Sequence, residues 1–94
     1  SWTAIYFDLV GFKQINDQRG HAAGDQVLRA FVQFLRGMAR DQDVVIRIGG
    51  DEFVLLVAGD ADAGQRLLDR LQAERAQSPC GYSTGIATRL PGET

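Results

Sequence analysis

The sequence predicts an α/β (α+β) domain of ferredoxin-like βαββαβ arrangement, with an antiparallel sheet and helices on one face. Short aliphatic and β-branched runs bounded by turn residues are typical of buried strands. Two longer segments carry apolar residues at three- and four-residue steps, which is typical of amphipathic helices. With 94 residues and a hydrophobic content of 45%, the chain is expected to form a single domain, 1–94, with a small core.

The first half of the chain predicts one strand and one clear helix. Residues 4–9 form an apolar run, and Gly11 ends that run before a short turn of helix. Residues 16–24 predict a helix end and a loop, because they contain two glycines that act as breakers. A long amphipathic helix then runs from about Asp25, its N-cap, to Ala39.

The second half predicts three strands and one helix. In order, these are strands at 44–48 and 52–58, a helix at 63–75 and a weaker strand at 81–87, with Pro91-Gly92 closing the chain. Gly49 and Gly50 join the first two of these strands, and we expect a type I′ hairpin turn because glycine accepts positive φ at both central positions.

Strand order predicts where the acidic residues meet. Right-handed crossovers leave one strand between each joined pair, so the third strand lies between the first and the second. The end of the first strand, with Asp8, then lies beside the start of the third, with Asp51 and Glu52. A carboxylate at the buried end of a strand is costly unless it is paired or metal-bound. We therefore expect three carboxylates to converge on one edge of the sheet.

Such a cluster suggests metal-assisted phosphoryl or nucleotidyl transfer. Mg²⁺ is typically held by one or two carboxylates together with substrate phosphates, and Lys13 follows the first strand closely enough to add a point charge. The alternative is a surface acidic pair after a hairpin turn, with Asp8 held by backbone N–H groups.

Composition excludes several other classes of function. A net charge of −2 argues against general nucleic-acid binding. The single cysteine, Cys80, cannot form an internal disulfide, which fits a reducing compartment or a neutral core position. No apolar run approaches the roughly 20 residues that span a bilayer, and no secretory signal pattern opens the chain. We expect a cytoplasmic domain, either free or as the cytoplasmic part of a membrane-anchored protein.

Four motifs of this sequence resemble motifs of the GGDEF family of diguanylate cyclases, and they occur along the chain in the family's order. They are Gly49–Phe53, Phe7–Asp17, Gly20–Asp25 and Ser83–Ala87. The resemblance implies an enzyme that condenses two GTP molecules into cyclic di-GMP and releases pyrophosphate. It further implies Mg²⁺ or Mn²⁺ as cofactor, a homodimer in which each subunit presents one GTP, and fusion to sensory or regulatory domains.

The resemblance also implies roles for individual residues. Metal binding falls to Asp8, the backbone carbonyl of Leu9, Asp51 and Glu52. Three residues would take part in catalysis. Asp51 would serve as the general base or help to position it, Glu52 would assist as a second metal-site carboxylate, and Lys13 would stabilise transition-state charge. Substrate binding falls to the Phe12 backbone, Lys13, Asn16, Asp25, Gly49 and Gly50. Of these, Asn16 and Asp25 read the guanine edge, and capping a helix is compatible with that role for Asp25.

Arg40 and Asp43 match the product-inhibition motif of the same family. An arginine fork there would pair with guanine or phosphate of bound cyclic di-GMP. The alternative is a solvated helix end at which Arg40 favours the C-terminal dipole.

The sequence departs from the family pattern at one position, and we expect it to lack two flanking family segments. Val10 stands where an acid is common, and the chain is expected to lack the family's N-terminal segment and C-terminal helix. A non-catalytic module that binds GTP or cyclic di-GMP as a regulatory sensor is therefore a second hypothesis. Another nucleotidyl transferase on a ferredoxin-like sheet is a third.

Overall fold

A computed structural model describes residues 1–89, in which four strands and three α-helices alternate as the sequence predicts. The strands are β1 (Trp2–Leu9), β2 (Val44–Arg47), β3 (Glu52–Ala58) and β4 (Tyr82–Arg89). The helices are α1 (Phe12–Arg19), α2 (His21–Met38) and α3 (Ala61–Ala73), and a 3₁₀ turn (Arg75–Gln77) follows α3. The predicted Pro91-Gly92 terminus lies outside the described residues.

The sheet order is β2-β3-β1-β4, and every neighbouring pair is antiparallel. The predicted fold class is therefore confirmed, with β3 inserted between β1 and β2. None of the helices described within residues 1–89 combines the length and the apolar character needed to cross a membrane.

The side chains of β1 alternate between a covered and an open face of the sheet. Ile5, Phe7 and Leu9 are buried, whereas Tyr6 and Asp8 are exposed. This two-residue period shows that the helices cover one face only. It also corrects the expectation that Asp8 sits at a buried strand end, because Asp8 belongs to the exposed set.

Aromatic rings fill the core between the covered face and the helices. Phe31 of α2 is fully buried, and its ring centroid lies 5.6 Å from Phe7, 5.3 Å from Phe53 and 5.7 Å from Tyr82. Each ring comes from a different element, so this cluster ties α2 to β1, β3 and β4. Such pairs add to the free energy of burial when centroids are about 4.5–7 Å apart.

The boundary between α1 and α2 differs from the sequence prediction. A loop was expected over residues 16–24, but α2 already begins at His21, so Asp25 is not its N-cap. The chain turns sharply at Gly20 alone, with φ of +89°. Gly24 does not break the helix, because it lies within α2. It is buried where α2 packs against α1. A glycine inside a helix is tolerated where another element approaches closely.

The predicted type I′ turn is also wrong. The glycines with positive φ in residues 1–89 are Gly11, Gly20 and Gly59, and neither Gly49 nor Gly50 is among them. Residues 48–51 form a wider connection in which the Ile48 N–H donates to the Glu52 carbonyl at 2.9 Å.

The ionisation of Tyr82 makes the free energy of unfolding depend on pH in the alkaline range. Its hydroxyl donates to Gln72 Oε1 at 2.9 Å, and the Arg75 guanidinium lies 4.2 Å from the centre of its ring. Burial raises the pKa of Tyr82, and the positive charge of Arg75 partly offsets that rise. The phenolate is therefore less favourable in the folded chain than in the unfolded chain.

We expect Tyr82 to cause a loss of stability above about pH 10, where the unfolded chain ionises first. Its contribution is fully present below that pH and declines as the pH rises towards the folded pKa. Tyr82→Phe should unfold about 1 kcal/mol more easily at pH 8 because it loses a hydrogen bond, and its stability should fall less steeply above pH 10. Urea denaturation from pH 8 to 11.5 measures both effects. Tyr6→Phe, at an exposed site, is the control, and equal alkaline slopes for the two variants would contradict the assignment.

Candidate active site

Asp8 and Glu52 form the acidic centre of the open face. They are direct register partners on the antiparallel strands β1 and β3, and both side chains are exposed. Directly opposite residues of such a pair have Cβ atoms about 4.5–5.5 Å apart. With Tyr6, Ile48 and Ser83 they line a cavity of about 300 Å³. The structure thus brings together two of the three acids that the strand order was expected to gather.

Asp51 does not complete a three-carboxylate cluster. Within residues 1–89, no group of three His, Cys, Asp or Glu side chains is placed to hold a metal ion. Asp51 is half-buried, and its backbone carbonyl accepts a hydrogen bond from the Leu9 N–H at 2.9 Å. Asp51 lies in the bend before β3 and is not among the residues that line the cavity beside Asp8 and Glu52.

The remaining carboxylate pair still fits a magnesium or manganese ion. Hard divalent cations prefer oxygen ligands, and Mg²⁺ commonly takes one or two carboxylates and completes its shell with substrate phosphates and water. Asp8 and Glu52 supply those two carboxylates from adjacent strands.

The N-terminus of α1 follows β1 directly. Gly11 adopts φ 75° and ψ 12° as the N-cap, and no side chain caps the helix. The first intrahelical bond runs from the Ile15 N–H to the Gly11 carbonyl at 3.1 Å, so the Phe12 and Lys13 N–H groups precede the first helical bond. Lys13 is exposed, and a helix N-terminus of this kind is suited to bind phosphate, so phosphate binding by Phe12 and Lys13 stays a prediction.

Asn16 and Asp25 lie where α1 meets α2. Asn16 is half-buried against Gly24, and Asp25 follows Gly24 on the exposed surface of α2. The Asn16 side-chain amide makes no hydrogen bond within the described part of the chain. Its donors and acceptor therefore remain available for a planar polar group.

Arg47 holds the connection between β2 and β3, a role that sequence reasoning missed. Its Nε donates to the Gly49 carbonyl and its Nη2 to the Gly50 carbonyl, both at 3.0 Å. A Cβ added at Gly50 would meet no atom within 4 Å, and at Gly49 it would meet only Glu52, at ordinary distances. The space beside both glycines is therefore open to a ligand. An arginine two residues before a glycine pair was the available sequence signal.

Comparison with known proteins identifies the family. The sequence model of "Diguanylate cyclase, GGDEF domain" matches residues 1–89. The chain belongs to the GGDEF domain family. This confirms the resemblance seen in the four sequence motifs.

Relatives of this GGDEF domain include named diguanylate cyclases. It is 42% identical over 90 residues to diguanylate cyclase DgcS of Shewanella oneidensis, which covers 96% of this chain and 30% of that protein. It is 47% identical over 73 residues to diguanylate cyclase DgcP of Pseudomonas aeruginosa, covering 77% of this chain and 11% of that protein. The chain thus spans less than a third of the length of either relative.

Solved structures share the fold. A microbial GGDEF domain solved in interaction with bis-(3,5)-cyclic di-GMP matches with a TM-score of 0.82 and 33% identity, covering 98% of this chain and 59% of that chain. An EAL/GGDEF domain protein from M. capsulatus matches with a TM-score of 0.78 and 35% identity, covering 90% of this chain and 61% of that chain.

Arg40 and Asp43 occupy a second site of the GGDEF domain, near the far end of β3. The Asp43 side chain is 0% exposed, and its carboxylate accepts from the Arg40 N–H at 2.8 Å and from the Ala58 N–H at 2.9 Å. Arg40 is 52% exposed, and its Nη2 donates to the Ala58 carbonyl at 2.6 Å. Asp43 therefore positions Arg40. The guanidinium bonds to β3, not to the last carbonyls of α2.

Two further arginines share this second site, and sequence reasoning missed both. Arg66 and Arg70 of α3 line the same cavity of about 100 Å³ as Arg40 and Asp43. They are four residues apart, the spacing that puts side chains on one helix face, so their pairing was readable from the sequence. That they lie near Arg40 could not be read from the sequence, because it depends on how α3 packs beside β3. Three arginines around one small cavity form a surface suited to an anion.

Proposed function

We propose that this protein is a diguanylate cyclase domain that condenses two GTP molecules into cyclic di-GMP and pyrophosphate. The observation that carries the proposal is the Asp8–Glu52 carboxylate pair, held in register beside the open N-terminus of α1. Carboxylates for a cation and a helix N-terminus for phosphates are the parts needed for nucleotidyl transfer. Membership of the GGDEF family and the named cyclases among the relatives support the same reaction.

The cation and phosphate contacts are assigned as follows. Asp8, Glu52 and the Leu9 carbonyl hold Mg²⁺ or Mn²⁺, which when bound neutralises phosphate charge. The Phe12 N–H and Lys13 bind the phosphates, and the Lys13 ammonium stabilises the negative charge that develops as the pyrophosphate leaves. Gly49 and Gly50 let the backbone of the loop approach the nucleotide.

Asp51 is assigned the proton transfer. Within residues 1–89, Asp51 does not form a three-carboxylate metal cluster with Asp8 and Glu52, which supports a role as general base on the ribose 3′-hydroxyl. The deprotonated 3′-oxygen bonds to the α-phosphorus of the other GTP while the bond from that phosphorus to pyrophosphate breaks. The resemblance implies that Asp51 is a metal ligand as well, which would require a three-carboxylate arrangement that residues 1–89 do not show.

The reaction requires two copies of the domain. Each GTP must supply a hydroxyl and also present an α-phosphate, so two sites have to face each other in a homodimer, one GTP per subunit. Because the chain spans 30% and 11% of its relatives, we also propose that it works within a longer protein that carries sensory or regulatory domains. A net charge of −2 supports small nucleotides, not nucleic acid, as partners.

Turnover of GTP tests the proposal. Incubation with GTP and Mg²⁺ or Mn²⁺ should yield cyclic di-GMP and pyrophosphate, identified by mass spectrometry, and ATP should yield no product. Turnover of another nucleotide in place of GTP would instead indicate a different nucleotidyl transferase.

A regulatory binding module is the second candidate function. It is favoured by the lack of a three-carboxylate cluster within residues 1–89. In that case GTP or cyclic di-GMP would bind with no chemical change in either nucleotide. Calorimetric binding followed by recovery of intact GTP distinguishes this outcome from catalysis.

We also propose that the Arg40 site binds cyclic di-GMP as an inhibitor. Its phosphates carry the charge that Arg40, Arg66 and Arg70 attract, and the buried Asp43 carboxylate keeps Arg40 oriented. The site lies away from the Asp8–Glu52 pair, so product bound there leaves the substrate site free.

Arg40→Ala should need about 10-fold more cyclic di-GMP for half-inhibition than the unsubstituted protein. Loss of a charge-assisted hydrogen bond weakens binding by about this factor. Initial rates at increasing product concentration measure the change. Arg29→Ala, which removes an exposed arginine of α2 outside the Arg40 site, should be inhibited like the unsubstituted protein. Equal inhibition of Arg40→Ala would show that the site is misassigned.

A further inference from the structure

Gly24 provides the space that the Asn16 side chain occupies. A Cβ built on Gly24 would lie 1.9 Å from Asn16 Oδ1, 2.9 Å from Asn16 Cγ and 3.4 Å from Phe12 Cζ. Real Cβ atoms do not approach heavy atoms at the first of these distances, so any larger residue at 24 forces Asn16 to move. The α1–α2 junction is thus built around a missing side chain.

The other interior glycine of α2 behaves differently. A Cβ built on Gly37 would meet no atom within 4 Å. Glycine destabilises a helix interior relative to alanine because it loses more backbone freedom on folding. At Gly24 the absence of a side chain permits a close contact with α1, which offsets this cost. At Gly37 no steric contact requires glycine.

The contact at Gly24 fixes a side chain whose polar groups are unused. Asn16 is half-buried, yet its amide makes no hydrogen bond in the part of the chain that the structure describes. Its position is therefore set by packing against Gly24. An amide positioned in this way presents donors and an acceptor at fixed points, which is what selection between two purine edges requires.

We propose that Gly24 is a positioning residue that sets the base selectivity of the nucleotide site by holding Asn16 in place. The inference rests on the proposed function, in which Asn16 and Asp25 read guanine. Phosphate binding at the Phe12 N–H and Lys13 lies one turn earlier on α1 and does not depend on the Asn16 amide. Displacement of Asn16 therefore weakens discrimination between guanine and adenine more than it weakens attachment of the triphosphate.

Binding of GTP and ATP to Gly24→Ala and to the matched control Gly37→Ala tests the inference without requiring turnover. We expect Gly37→Ala to keep the ratio of the ATP Kd to the GTP Kd of the unsubstituted protein. In Gly24→Ala the ratio should fall about 10-fold, the effect of one misplaced hydrogen bond, while the ATP Kd changes less than about threefold. A purely structural defect would weaken both nucleotides alike and leave the ratio unchanged.

A double variant shows whether the effect passes through Asn16. Asn16→Ala alone should lower the selectivity ratio, and adding Gly24→Ala to it should lower the ratio no further. Asn16→Ala also removes the two atoms that a Cβ at position 24 would strike. If Gly24→Ala alone fails to fold, the double variant should fold, with the selectivity of Asn16→Ala.

The outcomes separate the inference from the proposed function. An unchanged ratio in Gly24→Ala would overturn the inference and leave the cyclase proposal standing. A double variant that is less selective than Asn16→Ala would also overturn it, because Gly24 would then act by another route. If the unsubstituted protein does not prefer GTP over ATP, the proposed guanine recognition itself fails, and the inference with it.

Discussion

Asp51→Ala should lower the rate of cyclic di-GMP formation by about 10²- to 10⁴-fold. This is the usual contribution of a general base, and the methyl group of alanine cannot accept the 3′-hydroxyl proton. The fold should survive, because the bond from the Leu9 N–H to residue 51 uses the backbone carbonyl. Single-turnover product formation measures the loss, and the melting temperature verifies that the variant is folded.

Asp62→Ala is the matched control for this substitution. Asp62 is an exposed acid in the first turn of α3. Its substitution by alanine removes the same carboxylate group from a site away from β1 and loop 48–51. Its rate should stay close to that of the unsubstituted protein. Product formation by Asp51→Ala at the control rate would remove Asp51 from the reaction. The regulatory binding module would be the better hypothesis only if the unsubstituted protein, too, bound GTP and formed no product.

Phe31→Ala should lower the free energy of unfolding by about 3–5 kcal/mol. The Phe31 side chain is fully buried, and its ring lies against rings from β1, β3 and β4. Its removal leaves a cavity that three strands border and that none can fill without leaving the sheet. Domains of this size are stable by only about 5–15 kcal/mol, so the variant should lose a large fraction of its total stability. Urea denaturation at 25 °C measures the difference.

Phe34→Ala provides the comparison on the same helix. Phe34 is only half-buried, and its ring centroid lies 6.1 Å from Phe31 and 6.3 Å from Tyr82. Its loss should cost clearly less than that of Phe31, since fewer of its atoms leave water on folding. Equal costs would indicate that the aromatic cluster is not the centre of the core.

Most of the fold could be predicted because its signals are periodic. The strand at 52–58 is observed over the same residues as predicted, since a buried aliphatic run between turn residues has few other interpretations. The start of α2 could not be predicted in this way. Whether Gly24 breaks a helix or packs inside one depends on the approach of Asn16 from another helix, and no local pattern records that approach.

The candidate site was predictable where strand order alone determines it. The pairing of Asp8 with Glu52 follows from the topology, which the order of elements predicted. The position of Asp51 before β3, and the bonds of Arg47 to the glycine carbonyls, depend on the shape of loop 48–51. The Gly49-Gly50 pair alone cannot specify the turn type, because residues 48 and 51 are also part of the connection. The sequence therefore predicted a type I′ turn that does not form.

Because side chains alternate along β1, a change in the length of this strand would affect the core and the candidate cation site at the same time. Phe7 faces the core and Asp8 faces the open side, and both depend on the same two-residue period. An insertion or deletion of one residue in this strand would send the carboxylate inwards and the ring outwards. Such a lesion would remove the core contact and the cation ligand together, so β1 should tolerate substitution far better than any change in its length.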